Sequence, residues 1–557
     1  MVEGYADLVK NVGYTLYDYL TQVVLPIFVL SLLTSVVVYF LVPQLFTGIF
    51  LVFLFAFPFL VVALVLVYPY LLAENVKTEI ENNIHFFVTQ MGALSTCEVP
   101  TGELFRVMAA RKEYGALADS CRNIYLRFSV WRTTLADACR IEARQTPSII
   151  FADFLDRFAN ALEAGENIEV FLGEEQEIVL SDYSIRYRGA LYDVDVLKEV
   201  YTSMVITLVF LVSFAIVIPY ISGTDPTVLI GFVMILYAVA ELGVVYYIKS
   251  ILPEDRIWYT EYANNEMRRQ ILPAFAVSLV GIVFVSLIIN TYWRGLPAPI
   301  MAALTITPLV GVGYVARSIE ELIKRRDMFF VEFIISLGLE TAARGGVMRG
   351  ALKSLAYHDF GPLTPIIKNL FERIKTNIDV FQAWHFFRIE AGSYLISRFS
   401  EMFIEAIGLG GKPNAVAQMI GRNFMKLQML RRERYHATTS FIGIMYGLQA
   451  GVIFCIYVSN GILVYLNKLY TSMEIPESVF TSLIMLPKSH TLEVISLLLL
   501  IILLANALLS AVAIRLIDGG HLTNSLLHFV GLTWTGAITA VIVDLMLAAV
   551  LPAPTIV

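Results

Sequence analysis

The chain has 557 residues, of which 57% are hydrophobic and 16% charged, with a formal net charge of -7 and a mean hydropathy of +0.71. A soluble domain is roughly 45–50% apolar and about 25% charged, so the excess over so long a chain points to membrane spans rather than one oversized core. The mild acidity gives no reason for nucleic-acid binding, and four cysteines without a CxxC pair indicate neither a zinc site nor a disulfide framework.

Residues Met1 to Thr21 interleave Glu3, Asp7, Lys10 and Asp18 with Tyr5, Leu8, Val12, Leu16 and Leu20. That is helical spacing without a cleavage region, which predicts an amphipathic lead-in helix rather than a signal peptide. A bilayer-crossing helix needs about 20 mostly apolar residues, and nine segments qualify: Gln22–Val42, Phe46–Leu72, Tyr201–Ile221, Thr227–Tyr247, Pro273–Thr291, Leu296–Val315, Phe441–Leu466, Thr491–Ile514 and Ser525–Leu551. Pro43–Phe46, Ser222–Pro226 and Tyr292–Leu296 are too short to hold domains, so the spans they join form hairpins.

Basic residues set the expected orientation. Lys77, Arg186, Arg188, Lys198, Lys249, Arg317, Lys324, Arg325, Arg326, Arg431, Arg432, Arg434 and Arg515 lie near span ends on one side, against Arg294, Lys468 and Lys488 on the other. The positive-inside rule then predicts a cytoplasmic N-terminus, two cytoplasmic polar stretches and an external C-terminus.

The plan is duplicated. Residues 1–72 hold the lead-in helix and two spans, 73–200 a first polar domain, and 201–247 two spans; after a linker at 248–272 come two spans at 273–315, a second polar domain at 316–440 and the last spans at 441–557. Four spans return the chain to its starting side, so the halves form a parallel rather than inverted repeat. Phe86-Phe87-Val88 opens a helix in the first polar domain and Phe329-Phe330-Val331 in the second. Phe151, Phe154, Leu155, Phe158 and Leu162 make an apolar stripe at helical spacing, and Leu395, Phe399, Phe403 and Ile407 make its counterpart. Neither domain carries an alternating β-branched run, so both are expected to be helical bundles and the chain an all-α polytopic membrane protein.

This plan resembles the type II secretion F-domain family, the inner-membrane platforms of type IV pili, type II secretion and archaella. The two Phe-Phe-Val openings and the later segments Phe158 to Gly165 and Phe399 to Gly408 carry the resemblance, from about Gln22 to Ile514. Bacterial members have about three spans, and nine with an extra C-terminal helix is more similar to the archaeal platforms. The resemblance implies six-helix cytosolic domains that engage a hexameric secretion ATPase, spans that seat pilin- or archaellin-like subunits, and a place in the cell membrane. Whether the chain forms a homodimer is left open.

No catalytic, cofactor or metal site is expected. A phosphate-cradling loop needs GxxxxGK[ST]. Here Gly411-Lys412 is followed by Pro413, and Ala406 stands where the first glycine should be. Asp518-Gly519-Gly520-His521 resembles an element of intramembrane zinc proteases, but no histidine is followed by glutamate, and a helix stop in a tight turn explains the pair of glycines. Asp193-Val194-Asp195 has the spacing of a glycosyltransferase aspartate pair, yet it lies on an apolar-periodic helix and is expected to be a solvated face.

Two groups remain as candidate sites. Lys324, Arg325 and Arg326 follow span six, and Arg431, Arg432 and Arg434 precede span seven, positions suited to lipid headgroups or to docking the ATPase. Glu241, Asn506 and Asp544 are intramembrane polar groups, expected to bond between helices or to contact a subunit. The alternative to a platform is a secondary transporter built from parallel repeats, which would show broken helices and polar groups converging near the midplane.

Overall fold

The computed structural model describes residues 16–29, 31, 32, 35, 49–97, 99–222, 226–259, 266–293, 295–472 and 489–550. Among these residues the secondary structure is helical, apart from one isolated bridge between Trp258 and Ser393. Among the described residues, eight helices are long and apolar enough to cross a membrane. Residues 1–15 of the expected lead-in helix and 30, 33, 34 and 36–42 of the first expected span lie outside the described residues. Contacts divide the chain into two compact units, residues 1–183 and 184–557.

In the first unit, α1 (Ile49–Ser95) is followed by α2 (Thr101–Ala109), a 3-10 turn at Lys112–Tyr114, α3 (Ala116–Ser129), α4 (Leu135–Gln145) and α5 (Ile149–Ala164). Then α6 (Ile168–Ser222) leads toward its apolar segment, and the unit boundary falls inside it. Ser148 caps α5 by accepting the Phe151 N–H, and Gly165 ends it in the left-handed conformation. The stripe Phe151, Phe154, Leu155 and Phe158 is fully buried. Phe87 meets Phe151 edge-on at 5.9 Å, and Phe105 meets Phe158 at 5.5 Å. Each such ring contributes roughly 1.5–3 kcal/mol by leaving water. Cys121 and Cys139 are buried here, and burial pushes both thiols well above their ordinary range, as expected of inert, reduced cysteines.

The second unit continues with α7 (Pro226–Ile251), α8 (Glu266–Tyr292), α9 (Ala298–Ile306) and α10 (Val310–Ala343). The second bundle then follows as α11 (Met348–Leu355), a 3-10 turn at Gly361–Leu363, α12 (Thr364–Lys375), α13 (Val380–Ala391), α14 (Tyr394–Gly408) and α15 (Pro413–Ser472). Its element order is that of the first bundle: long helix, short helix, 3-10 turn, three helices, long helix. Ser393 caps α14 as Ser148 caps α5. Phe330 and Phe399 both pack on Phe424, at 4.9 and 5.4 Å. The chain ends with α16 (Ser489–Asp518), a 3-10 turn at Leu522–Asn524 and α17 (Ser525–Val550).

The long helices α6 and α15 touch each other. Arg188 of α6 pairs with Glu433 of α15 through two hydrogen bonds, at 3.0 and 2.9 Å.

One span differs from expectation. Leu296–Val315 is not a continuous α-helix, because a 3-10 turn at Thr307–Leu309 separates α9 from α10. Pro308 has no N–H to donate and its ring crowds the preceding turn. The Ser278 hydroxyl donates to the Pro308 carbonyl at 2.8 Å, and Trp534 Nε1 donates to Thr307 Oγ1 at 3.0 Å. The break is therefore satisfied by neighbouring helices.

Candidate functional site

The run Arg431-Arg432-Glu433-Arg434 lies on α15, and helical periodicity splits it. Arg431 and Arg434, three residues apart, face inward and are 5% and 3% exposed; Arg432 faces out. A guanidinium can be buried only with charge and hydrogen-bond partners, and both have them. Arg431 Nε donates to Asp255 Oδ1 at 2.9 Å, Nη2 donates to the same carboxylate and to the Arg256 carbonyl at 2.8 Å, and Nη1 reaches Asp327 Oδ2 at 3.2 Å. Arg434 donates to the carbonyls of Ile517, Leu516 (2.9 Å) and Pro253 (3.2 Å). Leu516 and Ile517 are in the last turn of α16, whose carbonyls have no intrahelical donor, so Arg434 caps that helix and meets the negative end of its dipole.

Asp255 belongs to the short connection that leaves α7. This segment is sewn onto the start of α14: Tyr259 N–H donates to the Gly392 carbonyl, and Tyr394 N–H to the Ile257 carbonyl, each at 3.0 Å. Between them Trp258 donates Nε1–H to Glu320 Oε1 at 3.2 Å and stacks on His521 at 4.8 Å. Glu320, buried on α10, also accepts the His521 N–H (2.6 Å) and the Asn524 amide (2.9 Å). The Asp518-Gly519-Gly520-His521 turn is thus a helix stop, with Gly519 at φ +78. A Cβ on Gly520 would stand 2.7 Å from Glu320 Oε1, so a side chain there would displace the carboxylate.

Two carboxylates share one guanidinium, and they divide the effect unequally. Burial alone would raise Asp255, but Arg431 and Arg434 together outweigh it and hold this carboxyl below its ordinary range. Asp327 lies twelve residues, about 18 Å, beyond the apolar segment that ends at Val315. Burial pushes its carboxyl up to about 6, with Arg431 and the Ser393 hydroxyl only partly offsetting.

These contacts correct the expectation that Arg431 and Arg434 meet a partner at the surface: their guanidinium groups are enclosed. Arg326 is also committed, donating to the Glu390 and Ala391 carbonyls at 2.9 and 3.0 Å and so capping α13. Lys324 lies over the Tyr435 ring at 3.6 Å, and Arg325 is exposed beside Glu321. Asp193 and Asp195 are exposed on α6, a solvated helix face. Glu241 and Asn506 are buried among the chain's own helices, whereas Asp544 is exposed on α17. The sequence reading passed over Asp255, Glu320 and Asp327. Asp327 left a signal: it stands on the buried stripe Ile323, Asp327, Phe330, Ile334, where an acid requires a partner. Among the described residues no group of His, Cys, Asp and Glu could hold a metal ion. The junction has no exposed nucleophile; what it does is lock the α7 connection, α10, α14, α15 and the α16–α17 turn together.

The model of the type II secretion system protein F family matches residues 87–216. Among curated proteins, the chain is 36% identical over 556 residues to flagella accessory protein J of Methanocaldococcus jannaschii, covering 98% of each chain. It is 33% identical over 561 residues to flagella accessory protein J of Methanococcus voltae, covering 98% of this chain and 99% of that one. No solved structure matches. A multi-pass helical membrane protein with a secretion-type F domain, alike from end to end to these relatives, belongs to the flagella accessory protein J family of the archaellum.

Proposed function

We propose that the chain is the non-enzymatic platform of an archaellum-type machine, coupling a cytosolic hexameric ATPase to the seating of archaellin-like subunits whose apolar helices lie in the membrane. The observation that carries this reading is the arginine junction. α10 and α15 run from the second bundle into apolar segments, and Arg431 and Arg434 fasten them to the α7 connection and to the α16–α17 turn. A push on the bundle therefore reaches several spans at once. The basic residues near span ends favour bundles in the cytoplasm and the C-terminus outside. The cations left for a motor to meet are Arg325, Arg432 and the partly covered Lys324. Surface pairs are worth only about 0–1 kcal/mol each, so the test reverses all three. The K324E/R325E/R432E variant should insert and melt like wild type, yet lose co-purification of the motor ATPase. Retention of the motor by the folded triple variant would overturn the docking surface. Filaments assembled by a strain lacking this chain would overturn the platform itself.

A further inference from the structure

Within the apolar segments lies a second polar cluster that, among the described residues, has no cation to answer it. Glu241 is 1% exposed, on a helix apolar enough to span the bilayer. Tyr201 of α6 donates its hydroxyl proton to Glu241 Oε1 at 2.7 Å, and the buried Ser510 of α16 stands near Tyr201. Tyr237 lies one turn before Glu241 on the same face of α7, close enough to act on its carboxyl. Tyr237 donates to Asn506 Oδ1 of α16 at 2.8 Å. Asn506 Nδ2 donates to Gln449 Oε1 of α15 at 2.5 Å, and Gln449 Nε2 to the Leu503 carbonyl at 3.3 Å. Tyr201 and Tyr237 are the titratable groups that act on Glu241 among the described residues; Ser510, Asn506 and Gln449 complete the cluster, and none of the five carries a positive charge.

An ionised carboxylate enclosed in the bilayer without a counter-charge is costly. The neutral acid needs only one acceptor for its proton, and the Tyr237 oxygen offers it. We propose that Glu241 is a proton-binding site and that its proton decides which way the Tyr237 hydroxyl points. With the proton in place, the Glu241 O–H donates to Tyr237 Oη, and the Tyr237 proton is free to hold Asn506. When Glu241 releases its proton to water, the carboxylate takes the Tyr237 hydrogen bond as well as that of Tyr201, and Asn506 Oδ1 loses its donor. One proton leaves and one hydroxyl turns; no bond between heavy atoms changes. The hydrogen bond between α7 in the first half and α16 in the second is thereby made or broken by proton occupancy. This joint does not depend on the motor or on the filament subunits.

Infrared difference spectroscopy on the full-length protein in lipid nanodiscs, between mildly acidic and alkaline buffer, tests it. Wild type should show a protonated-carboxyl carbonyl band that titrates, together with a tyrosine C–O band that shifts with the same midpoint and is absent from Y237F. E241Q, which keeps the shape but cannot ionise, should lose the Glu241 component of the carboxyl band while that of Asp327 stays, and leave the Tyr237 band fixed at every pH. E241D, which keeps the acid, should move the carboxyl band, and it carries the test if E241Q fails to fold. A wild-type protein with no titrating carboxyl band, or one unchanged in E241Q or E241D, overturns the proton site. A Tyr237 band that still shifts in E241Q overturns the joint.

Discussion

The two bundles share an element order but not a base. Aligned on Phe86-Phe87-Val88 and Phe329-Phe330-Val331, Ile84 of the first falls on Asp327 of the second, and both positions are buried. Each bundle starts its last short helix with a buried serine cap, but only Ser393 also donates to a carboxylate. The first bundle places its least exposed acids in pairs within itself, Glu142 with Arg127 and Glu175 with Arg157. The second uses Asp327, Asp255 and Glu320 to hold the α7 connection and the α16–α17 turn. An apolar contact at Ile84 holds a core together in any compatible orientation. A guanidinium bridging two carboxylates and a carbonyl is satisfied in one arrangement only, so charge at this position fixes geometry rather than adding stability.

The strongest way to break this contrast is to remove the cation. R431M would take away the cation that Asp255 and Asp327 share, leaving Asp327 unpaired and Asp255 only the influence of Arg434, and should cost about 3–5 kcal/mol, seen as a large drop in the melting temperature of the purified protein. A swap of the distinguishing residues should be unequal. I84D puts an unpaired carboxyl into an apolar core and should cost on the order of 3 kcal/mol or more. D327I leaves Asp255 paired with Arg431 and should cost about 1–2 kcal/mol, mainly for the unmet Ser393 and Arg431 donors. Equal losses would mean that the two sites are interchangeable packing positions.

A pH series sharpens the difference between the two carboxylates. Asp255 has a lowered folded value, so its contribution is present above the ordinary carboxylate pKa and fades only as pH falls through that lowered value. Asp327 binds its proton more tightly folded than unfolded; its contribution is greatest below the ordinary range and is lost as pH rises through about 6. Wild type should therefore melt at a higher temperature at about pH 5 than at about pH 7, with D327N flattening that slope. The smallest effect belongs to the ion pair between α6 and α15. Arg188 and Glu433 are partly exposed, so R188E or E433R alone should cost at most about 1 kcal/mol, and R188E/E433R should recover most of it in a double-mutant cycle.

Much of this architecture was legible because it is local. The Phe151–Phe158 and Leu395–Phe403 stripes announce buried helix faces by spacing alone, and both are buried. The apolar segments announce spans in the same way, although Pro308 in the sixth should have signalled the break. The arginine junction was not legible, because its partners are far apart in the chain: Asp255 lies 176 residues from Arg431, and Ile517 lies 83 from Arg434. Composition near a span end favours headgroup or partner contact for a basic run. Only the helical phase, which puts residues 431 and 434 on one face and 432 on another, hints that two of the three arginines turn inward.

α15 spans 60 residues without an internal proline, about 90 Å of continuous helix. Arg434 pins it 21 residues from its start (434 − 413) and 38 from its end (472 − 434), which makes arms of about 32 and 57 Å. A rod held there is a lever with unequal arms. A sideways nudge of 1 Å at the bundle end would emerge as roughly 1.8 Å at the far end of the span, in the opposite direction. Small strokes outside the bilayer then become larger, reversed strokes within it, and the ratio is set by where one arginine sits along the shaft.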